Sequence, residues 1–282
     1  MSDSSPPESP QEPVTSDLSE IVGQELAAIL PFSARVQESF STFGGMMVMM
    51  VRAVQRAFRR PAAIGEMAYQ VVALGARSLS IATLTAVFAG LVMTLQFAFF
   101  MARFGIQHTV GKVVVLTLFR ELGPVLTALT VGGRIGSGIT AELGSMKVTE
   151  QIDAVAALGA DPIKKLVTPR LIACFLVMPA LTALADVFGL FAGAVVASTQ
   201  YDIPMEQYFR AAIETADLFD FGSGIAKSAV FGIIIGLVGC YKGFEVTGGT
   251  EGVGRATTET VAITSVAVCL SDFFLTKLFL AL

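Results

Sequence analysis

Long apolar stretches alternate with short polar ones along most of this chain, and the repeat has the scale of a lipid bilayer. A helix needs roughly 20 mostly apolar residues to cross one. Residues 78–102, SLSIATLTAVFAGLVMTLQFAFFMA, give 25 consecutive positions without a charge, which predicts a first span. Four more apolar stretches follow at 112–140, 171–200, 222–241 and 259–281, each interrupted by ionisable residues. Arg120, Glu121 and Arg134 fall in the second, Asp186 in the third, Lys227 in the fourth, and Asp272 and Lys277 in the fifth. The pattern predicts an all-α integral membrane protein with five transmembrane helices.

A further element precedes the first span. In residues 39–60, Arg52, Arg56 and Arg59 fall three or four apart on one helix face, while Met47, Met50, Val51, Val54 and Phe58 fall largely on the other. A basic amphipathic helix of this kind lies in the headgroup plane. The rival reading, a sixth short span, must accommodate the four arginines of residues 52–60. The membrane-spanning body is therefore placed at 61–282, the interfacial helix at 39–60 and a tail at 1–38.

Between spans two and three lies TEQIDAVAALGADPIKKLVTPR, residues 149–170. Thr149 is placed to cap a helix through its hydroxyl, and Glu150 and Asp153 suit the positive end of the helix dipole. Gly159 is a natural residue just past a helix end, and Pro162 prevents continuation. The helix so bounded covers 150–158, about 13 Å at 1.5 Å per residue. Its Gln151 is polar, and Ile152, Val155, Ala156 and Leu158 make one small apolar patch. So short a helix is not stable alone in water and must pack on something. Its own spans are one candidate; the groove of a soluble partner that pushes on the membrane domain is the other.

Composition sharpens this picture. The chain is 54% hydrophobic and 15% charged, with a mean hydropathy of +0.71, whereas soluble domains carry about a quarter charged residues. A net charge of −4 leaves no nucleic-acid footprint. A single histidine, His108, and three dispersed cysteines, Cys174, Cys240 and Cys269, without a CxxC, argue against metal sites and disulfides. The first twenty residues hold five acidic residues, four prolines and no basic residue. That is not a cleavable signal, and it predicts a solvated, disordered tail.

Lysine and arginine in the loops orient the chain. With the N-terminus in the cytosol, twelve fall on the inner side and five on the outer side, Arg120 and Arg134 lying inside span two. The N-terminus and the 149–170 segment are thus expected in the cytosol and the C-terminus outside. No nucleotide-binding loop is present. The nearest approach, Gly105 to Lys112, has five residues between its glycines and Val113 where a serine or threonine belongs. The chain is not expected to be an enzyme or to bind a cofactor itself.

Ionisable residues at membrane depth are costly and usually functional. Spacing places Arg120, Glu121, Lys227 and Asp272 in the outer half of the bilayer. They read either as structural partners, with Asp272 locking Lys227, or as the lining of a substrate site. Pro124 falls beside them; its ring clashes with the carbonyl of Arg120 and offers it no N–H, so span two should bend there and the carbonyl needs another partner. Such a bend would open a cleft beside Arg120 and Lys227. Gly132 and Gly136, and Gly136 and Thr140, are four apart, the spacing that lets helices approach closely.

The stretch FRELGPVLTALTVGGRIGSGITAELGSMKVTEQIDAVAALGADPIKKLVTPR, residues 119–170, resembles the signature of the MlaE (YrbE-like) permease family. GIAKSAVFG at 224–232, EGVGRATTETV at 251–261 and SDFFLTKLF at 271–279 continue the likeness. The resemblance implies a permease subunit of an ABC transporter that moves phospholipids between the inner membrane of a Gram-negative bacterium and a periplasmic MCE-domain carrier, maintaining outer-membrane lipid asymmetry. It implies a homodimer, a cytosolic ATPase holding ATP and magnesium, a periplasmic MCE hexamer and, in some systems, a STAS-domain subunit. Residues 149–160 would be the coupling helix, and Arg120, Glu121, Lys227 and Asp272 would line or frame the lipid cavity. An ion-coupled secondary transporter and a non-transporting anchor for MCE proteins are the rival functions.

Overall fold

The computed structural model describes residues 42–56 and 64–281, and no strand occurs among them. The expected tail at 1–38 lies outside the described residues, as do 39–41 and 57–60 of the expected interfacial helix. Helix α1 covers 42–56. Two units divide the chain, Met1–Met47 and Val48–Leu282; of the first, residues 42–47 are described, as the opening turns of α1. In the second unit Val48, Val51 and Val54 of α1 are exposed, and Arg56 pairs with Asp161 at 2.6 Å.

Among the described residues, five helical segments are long and apolar enough to cross a membrane: Gly65–Ala102, Gln107–Val148, Ile163–Tyr201, Leu218–Phe244 and Gly249–Ala281. Their number is the one expected, but each runs further than its apolar stretch. A helix ends where a cap or breaker occurs, not where hydrocarbon ends. The first segment joins α2 (Ile64–Ala76) to α3 (Leu79–Ala102) through a turn at Arg77 and Ser78. The fifth, α10 (Gly249–Ala281), begins within the polar GGTEGVG stretch.

Small residues decide which faces meet. The buried positions of α3 are Ala82, Ala86, Gly90, Thr94 and Ala98, every fourth residue. That ridge packs on α7 (Thr168–Tyr201), and a Cβ at Gly90 would overlap the Gly189 carbonyl. Leu84, Phe88, Val92 and Phe99 of the same helix face outward. Exposed apolar side chains there suit lipid, which imposes no penalty on them.

The second segment is built from α4 (Val110–Thr117), a π turn at Leu118–Leu122 and α5 (Gly123–Val148). Helix α5 then packs on α9 (Leu218–Phe244) and α10. Where the three helices cross, the Thr140 hydroxyl lies 2.8 Å from Thr260 Oγ1 and 3.0 Å from the Gly239 carbonyl. Gly132 and Gly136 lie on this face: a Cβ at Gly132 would sit 2.6 Å from Ile235 Cδ1, and one at Gly136 3.2 Å from Thr260 Cγ2. At the opposite end, α8 (Met205–Thr215) lies over α4 and seats Tyr208 in a small apolar cluster with Val110, Val114 and Ala197. This helix was not expected, being short, half polar and outside every apolar run. Burial pushes the Tyr208 phenol up to about 12, the Thr94 hydroxyl 3.4 Å away pulling in the other sense.

Candidate functional site

Two places on this frame carry chemistry, and they lie at different levels. One is a charge cluster where the second, fourth and fifth segments meet; the other is the short helix between the second and third.

The cluster starts from Pro124. It stands in the first turn of α5, immediately after the π turn that carries Arg120 and Glu121. A π turn inserts one residue into the helical ladder, and the Arg120 carbonyl accepts a hydrogen bond from Lys227 Nζ at 2.9 Å. Lys227 comes from α9 and is 1% exposed. An ammonium has three donors. The other two go to Glu121 Oε2 at 2.9 Å and to Thr276 Oγ1 at 2.7 Å, and Thr276 in turn donates to Glu121. Asp272 Oδ1 lies 3.2 Å from the same ammonium, close enough for an ion pair, but it makes no hydrogen bond of its own. With three donors already used, Asp272 contributes charge rather than a bond.

Arg120 points elsewhere. Its guanidinium pairs with Asp220, which is buried at the start of α9. Asp220 also closes a capping box with Asp217: its carboxylate accepts from the Asp217 N–H at 3.2 Å. The structure thus brings Glu121, Lys227 and Asp272 together with the Arg120 carbonyl, and ties the Arg120 side chain to a separate acid. Asp220 and Thr276 were missed in the sequence. Thr276 lies four residues beyond Asp272 on one helix face, a readable signal. Asp220 sits among the acids that open span four and resembles any loop residue.

Close packing holds the cluster. A Cβ at Gly224 would overlap the Phe119 carbonyl of the π turn, so α9 lies directly on that turn. An open concavity of about 520 Å³ adjoins Glu121, Asp272, Phe273, Thr276 and Lys277. Lys227 does not line it. Lys227 borders instead a small gap of about 20 Å³, together with Arg120, Glu121 and Thr276. Asp186, 2% exposed, faces Gly123 beside the π turn, and its Oδ1 has no hydrogen-bond partner.

The second place is α6 (Gln151–Ala157). The residue that precedes it, Glu150, holds a positive φ of 58°, and Gly159 lies beyond its end at φ 76°. Thr149 does not cap it: the Thr149 hydroxyl turns back to the Ser145 carbonyl at 2.8 Å, finishing α5. A backbone reversal needs Glu150 in the left-handed region, which leaves the preceding hydroxyl facing the helix it came from. Asp153 is tied to Lys147 at 3.1 Å. The expected apolar patch is divided. Ile152 is buried against the bundle, Val155 is half-buried, and Leu158 is 85% exposed. Gln151 is exposed. Asp161 caps the next turn, accepting from the Ile163 N–H at 3.0 Å, and carries the Arg56 pair.

These features define a multi-pass membrane protein with charges locked at membrane depth and a short helix held out on one end. The chain belongs to the MlaE permease family, whose profile, described as Permease MlaE, matches residues 67–278. A probable ABC transporter permease of Rickettsia conorii is 38% identical over 236 residues, 84% of this chain and 91% of that protein. One from Synechocystis is 43% identical over 209 residues, covering 74% and 80%. The chloroplastic protein TRIGALACTOSYLDIACYLGLYCEROL 1 of Arabidopsis thaliana is 39% identical over 210 residues, covering 74% of this chain and 60% of its own length.

Proposed function

We propose that this chain is the permease subunit of an ABC transporter that moves phospholipids between the bacterial inner membrane and a periplasmic MCE-domain carrier, and so maintains outer-membrane lipid asymmetry. Two copies form the membrane domain, with α6 and the N-terminus on the cytosolic side and the C-terminus in the periplasm. An ATPase on a separate polypeptide binds ATP and magnesium, and an MCE hexamer receives or delivers the lipid; a STAS-domain subunit is a further candidate partner.

The observation that carries the reading is the form of α6. A seven-residue helix cannot hold itself together in water, yet it is pinned through Ile152 and Lys147 while Leu158 projects almost fully exposed. That is the shape of a part that receives force. Glu150, Gln151, Asp153 and Val155 complete the face offered to the ATPase, with Gly159 ending it.

In this account Glu121, Lys227, Asp272 and Arg120 frame the lipid path. The Lys227 ammonium and the Arg120–Asp220 pair hold three segments together in the present state, and their rearrangement accompanies opening. An ion-coupled transporter would use the same carboxylates, but Lys227 already occupies the position between them that a cation would take. Purification of the chain with its genomic neighbours, followed by native mass spectrometry, tests the reading. Two permeases, two ATPases and bound phospholipid support it; a chain that drives uptake alone from an ion gradient refutes it. A complex whose lipid occupancy is indifferent to ATP turnover would make the chain an anchor.

A further inference from the structure

A cavity of about 510 Å³ lies between α2, α5 and α10, well away from the charge cluster. Its size falls within the range of about 300–1,000 Å³ usual for ligand pockets. Arg77 and Arg134 both line it, and neither has a carboxylate partner among the described residues. Arg134 Nη1 donates at 3.0 Å to the Oγ of Ser78, the residue that follows Arg77 in the chain. The one acid in the wall, Glu142, is engaged by Arg170 at 2.7 Å. Tyr69 and Ser137 add hydroxyls, and Leu74 and Ile139 supply apolar wall. The cavity therefore carries net positive charge beside apolar surface.

Depth gives the site its meaning. Arg77 and Arg103 bracket 25 residues without a charge, about 37 Å of helix at 1.5 Å per residue. A bilayer's hydrocarbon core is about 30 Å thick. Arg77, and with it Arg134, thus stands at the headgroup level of the leaflet on the α6 side. Glu121 lies 13 residues from Arg134, about 20 Å further along the second segment, so the two sites serve opposite leaflets. Guanidinium groups are suited to phosphate through paired, charge-assisted hydrogen bonds.

We propose that this cavity is a second anionic site, which takes the phosphate of a phospholipid headgroup from the leaflet on the α6 side, with Arg77 and Arg134 as its ligands. The proposal rests on the membrane placement of the spans and not on transport. The same phosphate chemistry would accept free phosphate, and the two sources separate experimentally.

The test uses the full-length protein in nanodiscs of phosphatidylcholine doped with a phosphatidylglycerol that carries a photoreactive group near its glycerol, with cross-links mapped by peptide mass spectrometry. Labelling is expected in peptides 69–77 and 134–141. It should fall roughly tenfold in R77Q/R134Q, the scale of one lost charge-assisted hydrogen bond, while labelling of 269–281 is unchanged. Arg77 makes no side-chain bond among the described residues, so Arg77→Gln alone keeps the fold and should lower labelling in the same direction. Arg77→Lys should retain most of it. Absent labelling in the unmodified protein, or labelling indifferent to both arginines, overturns the lipid site, and absent labelling by a protein that still binds inorganic phosphate would make free phosphate the ligand.

Discussion

Replacing Lys227 by methionine is the most informative single change in this protein. Methionine keeps the length and apolar stem of the side chain and removes only the ammonium. Glu121 and Asp272 then face one another without a cation, Thr276 loses an interaction, and the Arg120 carbonyl loses the donor that occupies it beside Pro124. Removing one partner of a buried ion pair costs about 3–5 kcal/mol, and an orphaned buried carbonyl about 1–3 kcal/mol more. The Glu121 side chain is 39% exposed, and the Asp272 side chain 20%, so water relieves part of this. A net loss of about 3 kcal/mol is expected, which at roughly 2–4 °C per kcal/mol lowers the melting temperature by about 10 °C. The molecule provides its own reporter: Cys174 and Cys240 are buried and react with a thiol dye only on unfolding, once exposed Cys269 is replaced by alanine. Adding Glu121→Gln and Asp272→Asn should restore much of the loss, because a neutral, hydrogen-bonding trio replaces two stranded acids. A Lys227→Met protein that melts within about 1 °C of the parent, a shift worth well under 1 kcal/mol, would refute the reasoning.

Other perturbations separate packing from coupling. Gly90→Ala forces α3 away from the Gly189 carbonyl and should lower the melting temperature by more than the same change at exposed Gly138, where a Cβ meets nothing; equal effects would contradict the close crossing. Leu158→Glu should leave the melting temperature unchanged, because the side chain is exposed, yet reduce co-purification of the ATPase by an order of magnitude or more, the scale of a lost interface anchor; undiminished co-purification would contradict the role of α6. Tyr208 gives a pH signature: its phenol is raised from an ordinary 10 to about 12 in the folded protein, so its stabilisation is intact below pH 10 and is lost as pH rises towards 12. Thermal melts across pH 9–12 (a window bracketing the ordinary tyrosine value of about 10) should show a step that Tyr208→Phe removes.

Much of this architecture was readable from apolar run length alone, because a bilayer demands about 20 residues and little else in the chain meets that demand. Pro124 located the break in the second segment for a local reason, the missing N–H and the crowded carbonyl. What lay beyond reach were features set by partners distant in sequence. Nothing near Arg120 marks Asp220, a hundred residues away, as its counter-ion. The left-handed backbone at Glu150 turned Thr149 towards α5 instead of α6. Lys227 was legible as a membrane-depth charge, but its complete enclosure depended on Gly224 letting α9 settle onto the π turn.

The central claim is that α6 transmits work from a cytosolic ATPase to a membrane domain that has no engine of its own. A photo-crosslinking amino acid at position 158, in the complete assembly in native membranes, tests it most directly. The account predicts a single dominant adduct between this position and the ATPase subunit. An adduct only with lipid or with a periplasmic protein would contradict it.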